Sequence, residues 1–340
     1  MYIVKRMSDS ERLITMSNFR GSYLKIQIFL ISITPLIITG CTPTQEAVEL
    51  YVEAVRLAEA DEKVKAIEKL ETSLELYEHF SLAHSMLGEI YYDMKDYRRS
   101  VRYYEKATDL NPWSFRDYFN LGGVYYVMKE HRKAANAYVN ACEIKPEHFQ
   151  AHINAAKSYY EIKNFNSAMQ YAERAESIYP GASEVQKILG DIFEFQKDHE
   201  QAIRAYKRSL EIDSDNPDTM LALAVAYLRD NRTNSAKELL ISVTQIQPEN
   251  NAAFQYLGYC YLQLKEIDKS IQNYSRAIAI DKRDWQAYRG LGVAYMLIAI
   301  NDEDDVMEAK ALHQWRRSLE IKPDQPRRER LYRLIEKYTQ

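Results

Sequence analysis

Glycine and proline are scarce in this sequence, with 10 and 9 residues in a chain of 340. Both residues interrupt helices, so their scarcity suits helical segments joined by short turns. Cysteine is scarce as well, with 3 residues. Cys142 and Cys260 fall in repeating units four apart, as described below, which is too distant for a disulfide. We therefore expect two buried thiols and no disulfide framework.

The sequence also lacks the motifs that carry common enzyme chemistry. It contains no Gly-x-Ser-x-Gly, Walker A, His-Glu-x-x-His or Gly-x-Gly-x-x-Gly pattern. No stretch outside the repeating units is long enough to form a catalytic domain. These absences predict a protein that is not an enzyme and that uses no cofactor.

An excess of positive charge is missing too. Once residues 1–40 are set aside, 40 basic and 47 acidic residues remain, which gives a net charge of −7. A general nucleic-acid binder needs a basic face. The charge balance therefore argues against nucleic acid as a partner.

What the chain does have is a unit of 34 residues that recurs in phase, seen most clearly at 115–148. Counted from Phe115, positions 7, 8, 11, 20, 24, 27 and 32 hold Leu121, Gly122, Tyr125, Ala134, Tyr138, Ala141 and Pro146. Related units start near residues 47, 81, 149, 183, 217, 251 and 285. A generic helical bundle does not require such a fixed period.

The residue types in this unit describe two packed helices. Positions 4, 7, 8 and 11 lie on one face of a first helix, and positions 20, 24 and 27 lie on one face of a second. Glycine inside a helix costs about 1 kcal/mol relative to alanine. Its presence at position 8 therefore indicates that two backbones approach closely there, while tyrosine at 11 and 24 fills the space between the helices.

The period and signature resemble the tetratricopeptide repeat (TPR). The resemblance implies an all-α, right-handed superhelical solenoid of about eight helix-turn-helix repeats over residues 47–323. Residues 324–340 read as a C-terminal capping helix with a basic outer face. The eighth unit contains an insertion around 299–310, and we interpret its acidic run at 301–305 as a solvated loop, because it lacks the glycine and final glutamate of a calcium-binding EF-hand.

Residues 1–40 form a separate segment with the features of a secretory signal. Five basic residues come first, and the apolar run Ile26–Thr39 then ends at Gly40 and Cys41. That run is shorter than the roughly 20 residues needed to span a bilayer. The basic stretch is long for a signal, so either Met1 or Met16 is the true start. Residues 41–46 read as a short tether.

The ending Thr39-Gly40-Cys41 resembles the lipobox of bacterial lipoproteins. The resemblance implies cleavage before Cys41 and acylation of that cysteine with chains such as palmitate. It predicts a lipid-anchored, periplasmic-facing protein of the bacterial cell envelope. Thr42 lacks the aspartate that often retains lipoproteins at the inner membrane, so the outer membrane is favoured if the host has one.

The resemblance also places a partner-binding groove on the first helices, at positions 2, 5, 9 and 12 of each unit. The predicted groove residues are Phe119, Tyr126, Ile153, Tyr160, Lys187, Leu221, Leu228, Tyr259 and Leu262. They form two apolar and aromatic patches around a charged middle. TPR domains that hold a carboxylate terminus use Lys and Asn at positions 5 and 9. Lys187 fits that pattern but Asp191 does not, so the sequence favours an extended peptide or an amphipathic helix as the ligand.

Metal binding has little support in the sequence. His148 and His152 are four residues apart, which can suit a metal. However, His148 falls at a junction between units and His152 at an inward-facing position, so we expect helix capping and packing instead.

The expected function is a non-catalytic, membrane-anchored scaffold for protein or peptide partners. Two alternatives remain open on the sequence: a cytosolic or inner-membrane adaptor with an unprocessed N-terminus, and a small-molecule or glycan-binding subunit of an enzyme complex.

Overall fold

The computed structural model describes residues 43–339, which form seventeen α-helices and no strand. The helices are α1 (Gln45–Glu59), α2 (Lys63–Leu76), α3 (Ser81–Asp93), α4 (Tyr97–Leu110), α5 (Phe115–Val127), α6 (His131–Ile144), α7 (Phe149–Glu161), α8 (Phe165–Ile178), α9 (Ser183–Phe195), α10 (His199–Ile212), α11 (Pro217–Arg229), α12 (Thr233–Ile246), α13 (Asn251–Gln263), α14 (Ile267–Ile280), α15 (Trp285–Asp302), α16 (Asp305–Ile321) and α17 (Arg328–Lys337). The first sixteen pair into eight antiparallel hairpins, and α17 follows the last.

Each hairpin turns through one residue in the left-handed region. These residues are Asp61, Lys95, Lys129, Lys163, Lys197, Asn231, Lys265 and Glu303, with φ between 54° and 64°. In the third hairpin, the backbone N–H of Lys129 donates to the carbonyl of Tyr126 at 3.0 Å and that of Glu130 to Tyr125 at 2.9 Å. These bonds satisfy carbonyls that the helix end would leave without a partner. The sequence makes every one of these turns without glycine.

Inside four of the hairpins, the glycine at position 8 receives the tyrosine ring at position 24. A Cβ on Gly122 would lie 2.8 Å from two ring atoms of Tyr138. A Cβ on Gly88 would lie 2.8 Å from the ring of Tyr104. The expected close approach therefore exists, but what approaches the glycine is a tyrosine ring.

Serine at position 20 adds a hydrogen bond to the same contact. The hydroxyl of Ser100 donates to the carbonyl of Gly88 at 2.7 Å, and Ser270 donates to Gly258 at 2.8 Å. Both serines are fully buried. A small side chain at this position therefore lets the helices meet and also satisfies its own hydroxyl.

The first helix of the described residues begins earlier than the sequence predicted. Thr44 is its N-cap, and its hydroxyl accepts the backbone N–H of Ala47 at 3.2 Å. Gln45 and Glu46, which the sequence assigned to the tether, therefore belong to α1. The predicted signal segment 1–40 and the predicted lipidation residue Cys41 lie outside the described residues.

The eighth hairpin differs from the expected loop. Helix α15 has 18 residues and α16 has 17, whereas the six central hairpins pair helices of 13 and 14 residues. Only Glu303 and Asp304 separate them, and Asp304 caps α16 by accepting the backbone N–H of Val306 at 2.8 Å. The prediction of an acidic loop at 301–305 was wrong, because the inserted residues lengthen both helices instead.

Helix α17 covers the end of the solenoid. Leu331 is buried and packs in the same apolar cluster as Trp315 and Leu319 of α16. The side chain of Gln325, 2 % exposed, donates to the hydroxyl of Ser318 at 3.0 Å. The last repeat thus buries a face that would otherwise meet water.

The arrangement of the hairpins determines which helices face inward. Each second helix packs against the first helix of the following repeat. First helices such as α9, α11 and α13 also contact one another in sequence, and no comparable contact joins consecutive second helices in the described part of the chain. The first helices are therefore closer together and form the concave side of a superhelix.

Candidate interaction groove

A cleft of ≈ 500 Å³ opens on the concave side between α7, α9, α11 and α13. It is lined by Tyr160, Asp191, Glu194, Phe195, Tyr206, Asp218, Leu221, Ala222, Val225, Arg229, Ala252 and Tyr256. Aliphatic side chains of α11 and aromatic rings of α7, α9 and α13 provide its apolar surface. Three carboxylates and one guanidinium provide its charges. We call this cleft, together with the exposed faces of the first helices that extend it, the groove.

The predicted groove residues of the C-terminal half lie on these first helices. Tyr160 and Leu221 line the cleft itself. Tyr259 on α13 is 42 % exposed, and Leu228 and Leu262 are half-buried. An apolar surface therefore runs along α11 and α13 and is open to solvent.

In the N-terminal half, the predicted aromatic residues pack mainly on each other. The ring of Phe119 stacks on Phe115 with centroids 5.6 Å apart and meets the edge of Tyr138 at 5.7 Å. The ring of Tyr126 meets His131 at 5.1 Å. Both predicted residues remain half-buried, so each has one face in the solenoid and one toward the groove.

The assignment of Ile153 to the groove is wrong. Its side chain is fully buried and lies in one apolar cluster with Val185 and Ile188 of the next repeat. Position 5 faces the groove only where the following first helix leaves room for it. Here α9 covers the isoleucine, which stabilises the junction between repeats and is not available to a partner.

The charged middle of the groove is paired internally. Lys187 donates to Asp191 at 2.8 Å, and the hydroxyl of Tyr206 donates to the other oxygen of Asp191, also at 2.8 Å. Arg229 contacts Glu194, which His199 approaches at 3.3 Å. Because its cations are already neutralised, this part of the groove is poorly suited to hold a carboxylate terminus.

Two further ion pairs link neighbouring first helices along the groove. Arg116 contacts Glu89, and Lys157 contacts Glu184. Each pair joins residues 27 positions apart. These charged residues of the groove are therefore paired with each other, and the surface left for a partner is mainly apolar and aromatic.

Sequence reasoning missed part of the cleft lining. Phe195 and Arg229 occupy position 13 of their units, and Ala222 and Tyr256 occupy position 6. Phe195 is 53 % exposed and stacks on Phe165 with centroids 3.9 Å apart. A scan for exposed aromatic residues one place beyond position 12 would have found it.

Burial and the neighbouring carboxylate of Asp191 raise the pKa of two groove tyrosines, Tyr160 and Tyr206. Burial, followed by the charge and the hydrogen bond of Asp191, raises the pKa of Tyr206 well above its usual value. Burial and then Asp191 also raise the pKa of Tyr160. At physiological pH both phenols keep their protons, and Tyr206 uses its own to hold Asp191 in place.

The two histidines considered for metal binding make structural contacts. Nδ1 of His148 accepts the backbone N–H of Ala151 at 3.2 Å and caps α7. Nε2 of His152 is 2.9 Å from the carbonyl of Pro146. Among residues 43–339, no three His, Cys, Asp or Glu side chains come together in a group that could hold a metal ion.

The buried cysteines are shielded from reaction. Cys142 and Cys260 are free and buried, and burial raises the pKa of each thiol to about 12. Only the thiolate is an effective nucleophile. Neither cysteine therefore adds chemistry to the groove.

Comparison with known proteins agrees with the repeat geometry. Profiles described as tetratricopeptide repeat match residues 81–112, 128–183, 154–217 and 196–257, and one described as TPR repeat matches 258–298. The chain belongs to the tetratricopeptide repeat family. It is a TPR-type scaffold, and proteins of this kind bind protein or peptide partners and are generally non-catalytic.

Relatives among characterised proteins are distant and much longer than this TPR chain. Anaphase-promoting complex subunit 3 of Schizosaccharomyces pombe is 20% identical over 239 residues, which is 70% of this chain and 35% of that protein. A UDP-N-acetylglucosamine–peptide N-acetylglucosaminyltransferase of Giardia intestinalis is 32% identical over 97 residues, 28% of this chain and 7% of the enzyme. The chain spans about a third of the first relative and a small part of the second.

Solved structures share the fold. A TPR protein from Parabacteroides merdae aligns with a TM-score of 0.56 and 14% identity, covering 74% of this chain and 99% of that one. PilF of Pseudomonas aeruginosa aligns with a TM-score of 0.53 and 19% identity, covering 61% of this chain and 94% of that one. The Cut9–Hcn1 structure gives 0.54 and 16%, covering 80% and 51%. At these identities the likeness shows the TPR superhelix alone.

Within residues 43–339, none of the helices combines the length and the apolar character that crossing a bilayer requires.

Proposed function

We propose that this TPR protein is a non-catalytic scaffold of the bacterial cell envelope, held at a membrane by lipid on Cys41 and facing the periplasm. In a host with two membranes, we place it at the outer one. Its groove holds a segment of a partner protein, and the solenoid positions that partner near the membrane.

The cleft on α7, α9, α11 and α13 is the observation that supports partner binding. Its floor is aliphatic, from Leu221 and Val225, and its walls carry the rings of Tyr160 and Tyr256. Aromatic residues surrounded by apolar surface dominate the binding energy of protein interfaces. Since Lys187 and Arg229 are already paired with carboxylates, the partner segment is recognised by its apolar side chains.

The shape of this surface suits an extended peptide or one face of an amphipathic helix. A helix presents apolar side chains three or four residues apart, which matches a strip that runs across successive parallel first helices. Because Lys187 and Arg229 are already paired with carboxylates, the groove places no requirement on a free carboxylate terminus. The ligand is therefore an internal or terminal segment of a larger protein.

Substitution of Val225 tests the groove. Val225→Arg places a long cation on the cleft floor, and we expect it to weaken partner recovery from envelope extracts by at least about ten-fold, the effect of losing about 1.4 kcal/mol of binding. Val64→Arg is the matched control, because Val64 is 74 % exposed on α2 and lies outside the cleft. Equal recovery with both variants would count against the groove.

The anchor rests on the sequence Thr39-Gly40-Cys41 after the apolar run 26–39. Acyl chains contribute about 0.8 kcal/mol per buried CH₂, and stable attachment needs more than one chain. We expect radioactive palmitate to label the wild type and the Cys260→Ser variant equally, and to be absent from Cys41→Ser. Label that persists in Cys41→Ser would overturn the proposed anchor and leave the groove proposal untouched.

A further inference from the structure

Two charged surfaces lie outside the groove, on the edge of the solenoid formed by the turns within the hairpins. The first is a cleft of ≈ 430 Å³ between the turns of the second and third repeats. It is lined by Met94, Lys95, Asp96, Tyr97, Arg98 and Met128. The lining residue Met94 is 43 % exposed, and Val127, beside the cleft, is 44 % exposed. We call this surface the basic socket.

The socket carries positive charge that the protein does not neutralise. Residues 93–99 and 127–133 contain six Lys or Arg and three Asp or Glu, a net charge of +3. The three carboxylates are already in ion pairs. Asp96 pairs with Arg99 at 2.6 Å, and Glu130 pairs with Lys133 at 2.7 Å. Asp93 lies 4.0 Å from Lys63. The cations with no ion pair to any described residue are Lys95, Arg98, Lys129 and Arg132.

The second surface is the projecting end of the eighth hairpin, which we call the acidic knob. Its exposed aliphatic side chains are Leu297, Ile300 and Val306, at 37 %, 55 % and 63 %. Its carboxylates are Asp302, Glu303, Asp304, Asp305 and Glu308, and none of them pairs with a cation in the part of the chain that the structure describes. With Lys310, residues 297–310 have a net charge of −4.

The knob does not meet the socket of its own chain. Helices α15 and α16 pack against each other and against α13, α14 and α17, and have no substantial contact with α3 to α6. The extra turn on each helix carries the knob past the edge of the seventh repeat. Contiguous exposed apolar surface rimmed by polar residues marks sites of contact with another molecule.

We propose that the acidic knob of one copy of this protein docks into the basic socket of a second copy. Four cations without ion pairs face five carboxylates without ion pairs, and each surface adds aliphatic or methionine side chains that the contact would cover. Complementary charges favour the encounter and determine its register. Because knob and socket are different surfaces, the contact is head-to-tail and can continue from copy to copy.

Charge reversal tests this contact in the full chain. Two copies with different tags are expressed together, one is isolated, and the amount of the other is measured. We expect wild-type copies to be recovered together. Asp302→Lys with Asp305→Lys in both copies lowers recovery by at least about ten-fold, since like charges then face each other. Lys129→Glu with Arg132→Glu in both copies has the same effect.

The decisive experiment uses a variant that carries all four substitutions in both copies. A reversed knob then faces a reversed socket, and we expect recovery to return to within about two-fold of the wild type, because opposite charges again face each other. Lys207→Glu with Arg208→Glu on α10 is the control and leaves recovery unchanged. Thermal unfolding midpoints of the variants stay close together, because every changed residue is exposed. A small fall is expected with Asp305→Lys, because Asp305 lies in the first turn of α16, where a negative charge is favourable.

Each other result overturns the proposal. Wild-type copies that are not recovered together show that the surfaces bind something else, such as an acidic partner at the socket alone. Reversals that match the control show that the copies associate elsewhere. Recovery that stays low in the four-fold variant shows that knob and socket do not touch.

Discussion

At the scale of single residues, the packing of four hairpins depends on a tyrosine ring that lies directly on a glycine. Tyr138 is 4% exposed, so its ring cannot move aside into solvent when the space at Gly122 is filled. A Cβ on Gly123, the next residue, would meet only the hydroxyl of Tyr138, at 3.6 Å. A side chain can therefore be added at Gly123 without a clash, whereas one at Gly122 would press on the ring of Tyr138.

We predict opposite effects of alanine at these two glycines. Gly122→Ala places a methyl group against the buried ring, and overpacking of this kind costs about 1–3 kcal/mol of unfolding free energy. Gly123→Ala meets ordinary contact distances and gains up to about 1 kcal/mol of helix propensity. Urea unfolding followed by circular dichroism measures both. A Gly122→Ala variant as stable as Gly123→Ala would contradict the packing described.

Much at this scale could be predicted from the sequence. Small residues at position 8 recur with the period, so a close approach at Gly122 could be predicted, but the prediction took the neighbouring backbone and not the ring of Tyr138 as the contact. The burial of Ile153 could not be predicted, because it depends on whether Val185 and Ile188 of the following repeat cover it. The position of a residue in the repeat determines which way its side chain points. Its exposure depends on whether side chains of the neighbouring repeat cover it.

At the scale of helices, side-chain caps fix the starts of six of the eight first helices, all except α3 and α9. Ser114, Asn216, Asn250 and Asp284 accept a backbone N–H three residues ahead. His148 does the same for α7 through Nδ1, which must be unprotonated to accept. Burial, followed by the charge of Lys145, lowers the pKa of His148 below its ordinary value.

This cap makes stability depend on pH. The folded pKa of His148 lies below that of the unfolded chain, about 6.5, so the unfolded state binds more protons as the pH falls. Its contribution is complete above about pH 6.5 and is lost as the pH falls from there through the folded pKa. His148→Asn keeps a capping oxygen without a titrating ring.

We therefore predict that the unfolding midpoint of the wild type falls more between pH 7.5 and pH 5 than that of His148→Asn, in parallel thermal scans. The slope with pH is the readout, because the substitution also removes ring contacts with Phe115 and Phe119 at 4.5 Å and 5.5 Å. Parallel slopes would show that the ring does not titrate differently on folding.

The eighth hairpin shows where element prediction from the sequence reached its limit. The shift of Trp315 and Ser318 relative to the period located extra residues between 299 and 310. A run of acidic residues suggested a loop, because such runs are usually solvated. Asp304 instead works as an N-cap, and the acidic residues on either side end one helix and begin the next.

At the scale of the whole molecule, curvature creates the groove. First helices contact one another across repeats, while no comparable contact joins consecutive second helices within residues 43–339. That the first helices line the concave side was predicted from the resemblance to the TPR. The ion pairs that occupy the middle of the groove could not be predicted from the sequence. Arg229 reaches back to Glu194 of the preceding repeat, and such contacts depend on side-chain conformations that periodicity does not determine.

A partner protein that lies on the concave face can be captured there by photo-crosslinking in living cells. A benzophenone side chain replaces Tyr259, which is 42 % exposed in the groove, or Tyr179, which is 57 % exposed at the end of α8 outside it. We predict that the groove position captures a discrete partner, that Val225→Arg abolishes this product, and that the outer position does not form it. The same product from both positions, or from Tyr179 alone, would contradict this prediction.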